Sequence, residues 1–103
     1  MRIKMKTINY VDVFKALSDD TRINVIKILS KENKCACQIL EAFNISQSTL
    51  SHHMKLLTGS GLVLASKEGK WVHYRINEPL FKEIKSFFDD IDAADISCTK
   101  CNS

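Results

Sequence analysis

No stretch of this chain is apolar for long enough to span a bilayer, since a spanning helix needs about 20 apolar residues in a row. The first residues, Met1-Arg2-Ile3-Lys4-Met5-Lys6, are without the long apolar segment of a secretory signal. A cytosolic protein with no membrane partner is expected. Neither sign of charge dominates: 15 Lys and Arg against 12 Asp and Glu leave a net charge of +3. That mild basic bias permits a nucleic-acid partner without demonstrating one. Mixed charge with an ordinary apolar content excludes a disordered chain. No internal repeat, low-complexity segment or catalytic constellation is found, so an enzyme is not expected. With 103 residues the chain fits one domain with a modest core, which a dimer interface would extend.

What is present is organised around Ile45 to Leu57. An apolar segment (Ile39, Leu40, Ala42, Phe43) stops at Asn44, a residue that tolerates the left-handed conformation ending many helices. Ser46 then offers a hydroxyl to cap a new helix, and Ile45 and Leu50 occupy the two positions of a hydrophobic staple. A helix, a tight turn and a second helix are thus written into a short span. In the second helix Leu50, Met54 and Leu57 recur at helical spacing and face a core. Gln47, Ser48, Ser51, His52 and Lys55 point largely the other way. Short polar side chains of this kind suit a helix entering a DNA major groove, where they reach base edges without clashing. The plainer alternative is a solvated amphipathic helix in a small bundle.

Tyr10, Val13, Phe14 and Leu17 predict a first helix from about Thr7 to Leu17. Ser18-Asp19-Asp20 breaks it and caps a second helix carrying Ile23, Val25, Ile26, Ile28 and Leu29, an arc wide enough to be mostly buried. The third helix, from about Cys35 to Phe43, is the first arm of the motif. Beyond Leu57, Gly59 and Gly61 end the recognition helix and Leu62 to Ala65 suits a strand. Lys67-Glu68-Gly69-Lys70 reads as a hairpin tip, and Trp71 to Ile76 alternates as a second strand. Lys67 and Lys70 are placed to lie along a phosphate backbone; simple solvation is the alternative. Asn77-Glu78-Pro79 opens a last helix with Leu80, Ile84, Phe87 and Ile91 at helical spacing and Phe81 and Phe88 beside them. That face is broader than a terminal helix needs, which predicts a dimer interface shared with the first helix; otherwise the aromatics cap the monomer core. Residues 1–95 form the expected domain, and 96–103 a polar, mobile tail. The fold expected is mainly α with a small β-hairpin: a homodimeric winged helix-turn-helix.

Three segments go further. Ala16 to Arg22 (Ala-Leu-Ser-Asp-Asp-Thr-Arg), Ser46 to Met54 (Ser-Gln-Ser-Thr-Leu-Ser-His-His-Met) and Gly69 to Ile76 (Gly-Lys-Trp-Val-His-Tyr-Arg-Ile) closely resemble the ArsR/SmtB family of metal-sensing repressors. The likeness covers about Val11 to Phe88. It implies a homodimer that binds double-stranded operator DNA near its own promoter and leaves when a metal or metalloid binds. In the arsenic-responsive branch the third helix begins Cys-x-Cys-x-x-Cys. Cys35 and Cys37 match the first two positions, but Leu40 stands at the third.

The four cysteines fall in two close pairs, Cys35/Cys37 and Cys98/Cys101. In a reducing compartment such pairs read as metal-binding or redox-active sooner than as structural disulfides. Thiolates select soft ions: As(III) and Sb(III) take three sulfurs, while Cd(II), Pb(II) and Zn(II) accept three or four sulfur or nitrogen ligands. Residues two apart on a regular helix point about 200° apart. Cys35 and Cys37 therefore share an ion only if Cys35 lies at the start of the helix or the first turn unwinds. The helix N-terminus and Lys34 are expected to lower both thiol pKa values. Cys98 and Cys101 would complete the site from the same or the other subunit, or form one of their own. The alternative is that Cys35 and Cys37 are small buried hydrophobes. His52 is the histidine expected to touch DNA, His53 a structural one, and His73 is open. A rival on the same scaffold is a thiol redox or persulfide sensor pairing Cys35 or Cys37 with a tail cysteine. A thiol oxidoreductase using Cys98-Thr99-Lys100-Cys101 is disfavoured, because the βαβ setting is missing.

Overall fold

The computed structural model of the chain describes residues 8–93. Helix α1 (Tyr10–Ala16) starts three residues later than the periodicity predicts. The reason is local: the Asn9 side chain accepts a hydrogen bond from the Asp12 N–H and caps the helix there. Asp19 does the same for α2 (Asp20–Leu29), accepting from the Arg22 N–H at 3.1 Å. The wide apolar arc of α2 is only partly used. Val25 and Leu29 are buried, whereas Ile23 is exposed and the cationic Arg22 is buried instead.

A two-residue strand, β1 (Lys34–Cys35), precedes α3 (Ala36–Ala42). It was not foreseen, because two residues carry no alternation. α3 ends without a left-handed residue: Phe43 turns extended, and no non-glycine residue has a positive φ. Asn44 therefore does not play the helix-ending part expected of it. Ser46 does cap α4 (Gln47–Ser60), its hydroxyl accepting from the Thr49 N–H at 3.1 Å. Gly59 lies inside this helix, and Gly61, at φ 91°, ends it. Asn77 locks that end, donating through Nδ2 to the Gly61 carbonyl at 2.7 Å and capping α5 (Glu78–Asp89) with Oδ1.

β2 (Val63–Glu68) and β3 (Trp71–Ile76) form an antiparallel hairpin whose two-residue turn is Gly69-Lys70. Lys67 and Glu68 are thus strand residues rather than tip residues. Gly69 has φ 67°, the positive value that the turn was expected to need. β1 pairs with the other edge of β3, so the sheet has three strands in the order β1-β3-β2. The extra strand gives the hairpin the support that two strands lack in water.

One core joins all of this: Val13 and Ala16 from α1, Val25 and Leu29 from α2, Ile39 from α3, Leu50, Met54 and Leu57 from α4, Leu62 and Val63, and Ile84 from α5. The recognition helix is therefore held by its apolar face against every layer, and its polar face is left outward. Among the described residues no helix is long and apolar enough to cross a membrane.

Candidate nucleic-acid interface and thiol site

α4 presents Gln47, Ser48, Ser51, His52 and Lys55 on one exposed face, while Leu50, Met54 and Leu57 are buried on the other. The split follows from helical spacing alone. The wing carries Lys67 and Lys70, both exposed, beside this face. A cleft of about 320 Å³ runs between them, lined among others by Gln47, Ser51, Lys70 and Trp71. Cys37 lines the same cleft, so one of the two thiols opens directly onto the gap between recognition helix and wing.

Cys35 is placed differently. It is the residue before the first turn of α3, with extended backbone (φ −87°, ψ 164°), and its N–H donates to Gln38 Oε1 at 2.9 Å. Being outside the helix, it escapes the 200° divergence that a regular helix would impose. The two sulfurs lie 2.8 Å apart, well beyond a disulfide of about 2.05 Å. No unwinding is needed to bring them together. In the sheet, Cys35 stands directly opposite His73 and Lys34 opposite Tyr74.

The charges depart from expectation. The Cys37 thiol beside Cys35 holds the Cys35 pKa below the ordinary thiol range, with the Gln38 backbone amide helping. The same contact pushes Cys37 up, with burial adding to it. One thiolate is thus favoured and the second opposed, as for any pair sharing a proton. Lys34 is not among the causes of either shift; its ammonium pairs with Glu32 Oε2 at 2.6 Å.

Two thiolates on an exposed rim suit a soft ion, but two are too few. Among the described residues no group of three His, Cys, Asp or Glu side chains converges as a metal site. Cys98 and Cys101 lie outside the described residues. His73 faces Glu68, Nε2 to Oε1 3.7 Å. Sequence reasoning missed the joining of Cys35 to β3 and the part of Trp71 and Tyr74 in lining the cleft of Cys37. The Gly-Lys-Trp-Val-His-Tyr motif was legible, but nothing in it says which strand it meets.

A capped helix-turn-helix with an exposed, uncharged N-terminal half to its second helix, flanked by a hairpin carrying Lys67 and Lys70, defines a winged helix-turn-helix DNA-binding regulator of transcription. Comparison with known proteins narrows this. Residues 19–64 match the family described as bacterial regulatory protein, arsR family. The chain is 40% identical over 86 residues to the arsenical resistance operon repressor of Staphylococcus xylosus, covering 84% of this chain and 83% of that one. It is 36% identical over 96 residues to a cadmium resistance transcriptional regulatory protein CadC homolog of Staphylococcus aureus, covering 90% and 79%. The homodimeric winged helix-turn-helix DNA-binding domain of a possible ArsR-family regulator from Mycobacterium bovis superposes with a TM-score of 0.64 at 27% identity, covering 79% of each chain. The chain belongs to the arsR family of bacterial regulatory proteins. Its function is that of a metal(loid)-responsive transcriptional repressor.

Proposed function

We propose that this repressor is a cytosolic homodimer whose operator affinity is controlled by the Cys35/Cys37 pair. One observation carries the reading: Cys35 is at once the start of α3, the ladder partner of the wing strand, and within 2.8 Å of the second sulfur. Drawing both sulfurs around a third donor moves the Cys35 backbone. That strains the β1–β3 pairing on one side and the seat of α3 against α4 on the other.

In the DNA-binding form the two recognition helices enter successive major grooves about 34 Å apart. Gln47, Ser48, Ser51 and His52 read base edges, and Lys55, Lys67 and Lys70 hold phosphates. The dimer forms through α1 and α5, where Val11, Phe14 and Phe88 are exposed, with Ile91 exposed just past the end of α5. Tyr10, Phe14, Phe87 and Phe88 make one aromatic cluster there, Tyr10 stacking on Phe87 at 4.5 Å and Phe14 meeting Phe88 edge-on at 5.9 Å. Aromatic clusters of this kind anchor interfaces. The homodimeric Mycobacterium bovis neighbour supports a homodimer.

The names of the relatives, which speak of arsenical and cadmium resistance, favour As(III) as inducer and support Cd(II); Sb(III), Pb(II) and Zn(II) are further candidates on their affinity for thiolates. Cys35 and Cys37 supply two thiolates, and Cys98 or Cys101 of the same or the other subunit supplies what Leu40 cannot. Their role is tested by titrating the reduced protein with As(III) and Cd(II) while following thiolate absorption. Wild type is expected to bind both ions tightly. Cys35→Ser and Cys37→Ser should bind at least tenfold more weakly, and Cys98→Ser/Cys101→Ser should lose the third sulfur from the As(III) spectrum. Undiminished binding by Cys35→Ser and Cys37→Ser alike contradicts the assignment.

A further inference from the structure

Arg22 is the one charged side chain buried among the described residues, at 9% exposure. Its bonds run away from its own helix. Nε donates to the carbonyl of Ala16, the last residue of α1, at 2.7 Å. Nη1 donates to Nδ1 of His53 on α4 at 2.9 Å. One guanidinium therefore joins the end of the first helix to the middle of the recognition helix, from a site on the second. A buried cation needs such partners, since leaving it without them is costly.

The bond also dictates the chemistry of His53. An arginine nitrogen can only donate, so Nδ1 must accept and the imidazole proton must sit on Nε2. His53 is nearly buried, with its side chain 12% exposed. The groups facing it are Arg22 from α2, Asp19 that caps α2, with Oδ2 3.8 Å from Nδ1, and the His52 ring 5.9 Å away on α4. Asp19 Oδ2 is already engaged by the Arg22 N–H. His52, the next residue along α4, belongs to the exposed face.

We infer that Arg22 is a positioning residue for operator reading: by gripping Ala16 and His53 together it fixes the rotation of α4 about its own axis, and with it the aim of Gln47, Ser51 and His52. Core side chains such as Leu50 and Leu57 hold the helix down through non-directional contacts. The two hydrogen bonds of the guanidinium are directional and fix an orientation as well as a distance. This rests on the DNA-reading face proposed above. Misaim affects base contacts, which need correct geometry, far more than phosphate contacts, which act as point charges at longer range.

The test compares two duplexes: the DNA upstream of the protein's own gene, and a scrambled duplex of equal composition. Wild type, Arg22→Lys, His53→Leu and His53→Asn are measured, with circular dichroism and melting to confirm folding. Lys carries the charge but has no fork to reach both acceptors. Leu has no acceptor, whereas Asn Oδ1 occupies the place of Nδ1. Arg22→Lys and His53→Leu are expected to lose about tenfold of the preference for the upstream duplex, within the range of one mismatched base pair. Their affinity for the scrambled duplex should stay within twofold, and His53→Asn should stay within about twofold of wild type on both. A merely structural role would weaken both duplexes together and give no rescue by Asn; that result overturns the inference, as does retained preference in folded Arg22→Lys and His53→Leu. A wild type that shows no preference at all overturns the DNA-reading face itself, and the inference with it.

Discussion

Cys35 stands directly across the β1–β3 ladder from His73. A residue that begins α3 is therefore also a rung of the wing. A ligand that repositions Cys35 would act through separate routes on the two elements proposed to contact DNA: on α4 through α3, and on the wing through β3. The proposed coupling would then run through a short backbone segment and not through a long relay of side chains.

The paired thiols titrate unlike each other. Cys35 is held low by the Cys37 thiol, and Cys37 is held high by Cys35. A bound soft ion needs both as thiolates, so apparent inducer affinity rises with pH and goes on rising above the ordinary thiol value, until Cys37 has lost its proton. Cys37→Ala removes the main cause of the lowering at Cys35. Its pKa should then move upward, read as the pH dependence of alkylation by iodoacetamide. A downward move or none contradicts the geometry of the pair.

The wing lysines are proposed to act by charge. Lys67→Ala and Lys70→Ala should each weaken binding to any duplex and flatten the slope of log affinity against log salt by about one unit. Folding is expected to be unchanged, since both side chains are exposed. An unaltered slope in both variants removes the wing from the interface.

Gly61 closes α4 at φ 91°, and a Cβ there would sit 3.2 Å from Leu80 Cδ2. Gly61→Ala should cost about 1–3 kcal/mol, from the left-handed backbone together with the crowding. Chemical denaturation would measure it; an equally stable variant shows that the α4–β2 junction is more plastic than this geometry allows.

Phe88 is 53% exposed at the edge of the aromatic cluster. Phe88→Glu places a charge where a second copy is proposed to dock. Sedimentation should show a shift from dimer toward monomer, with operator affinity falling in step. A variant that stays fully dimeric puts the interface elsewhere.

Much of this was legible in the chain because it is local. Ser46 as a cap, Leu50, Met54 and Leu57 as the inner face, and Gly69 in the turn all follow from spacing and from one residue's conformational preference. Asn44 misled because a tolerant residue is not a compelled one; Phe43 turned extended instead. β1 and the Arg22–His53 bond were not legible, because each depends on partners more than 30 positions away. Lys34 illustrates the same limit on electrostatics. It is adjacent to Cys35 in sequence, yet its charge is engaged by Glu32. The site was half visible: sequence gives the pair of cysteines, but only the backbone at Cys35 shows that they meet without unwinding α3.

Thiol occupancy and operator affinity are proposed to be linked through Cys35 and Cys37. This link is tested by measuring affinity for the upstream duplex with and without saturating As(III) or Cd(II), in wild type and in Cys35→Ser/Cys37→Ser. Wild type should weaken by about 5- to 150-fold on saturation with at least one of the two ions, a coupling of about 1–3 kcal/mol, while the double variant binds DNA as wild type does and ignores both ions. Equal weakening in the two proteins, or none in wild type with either ion, contradicts it.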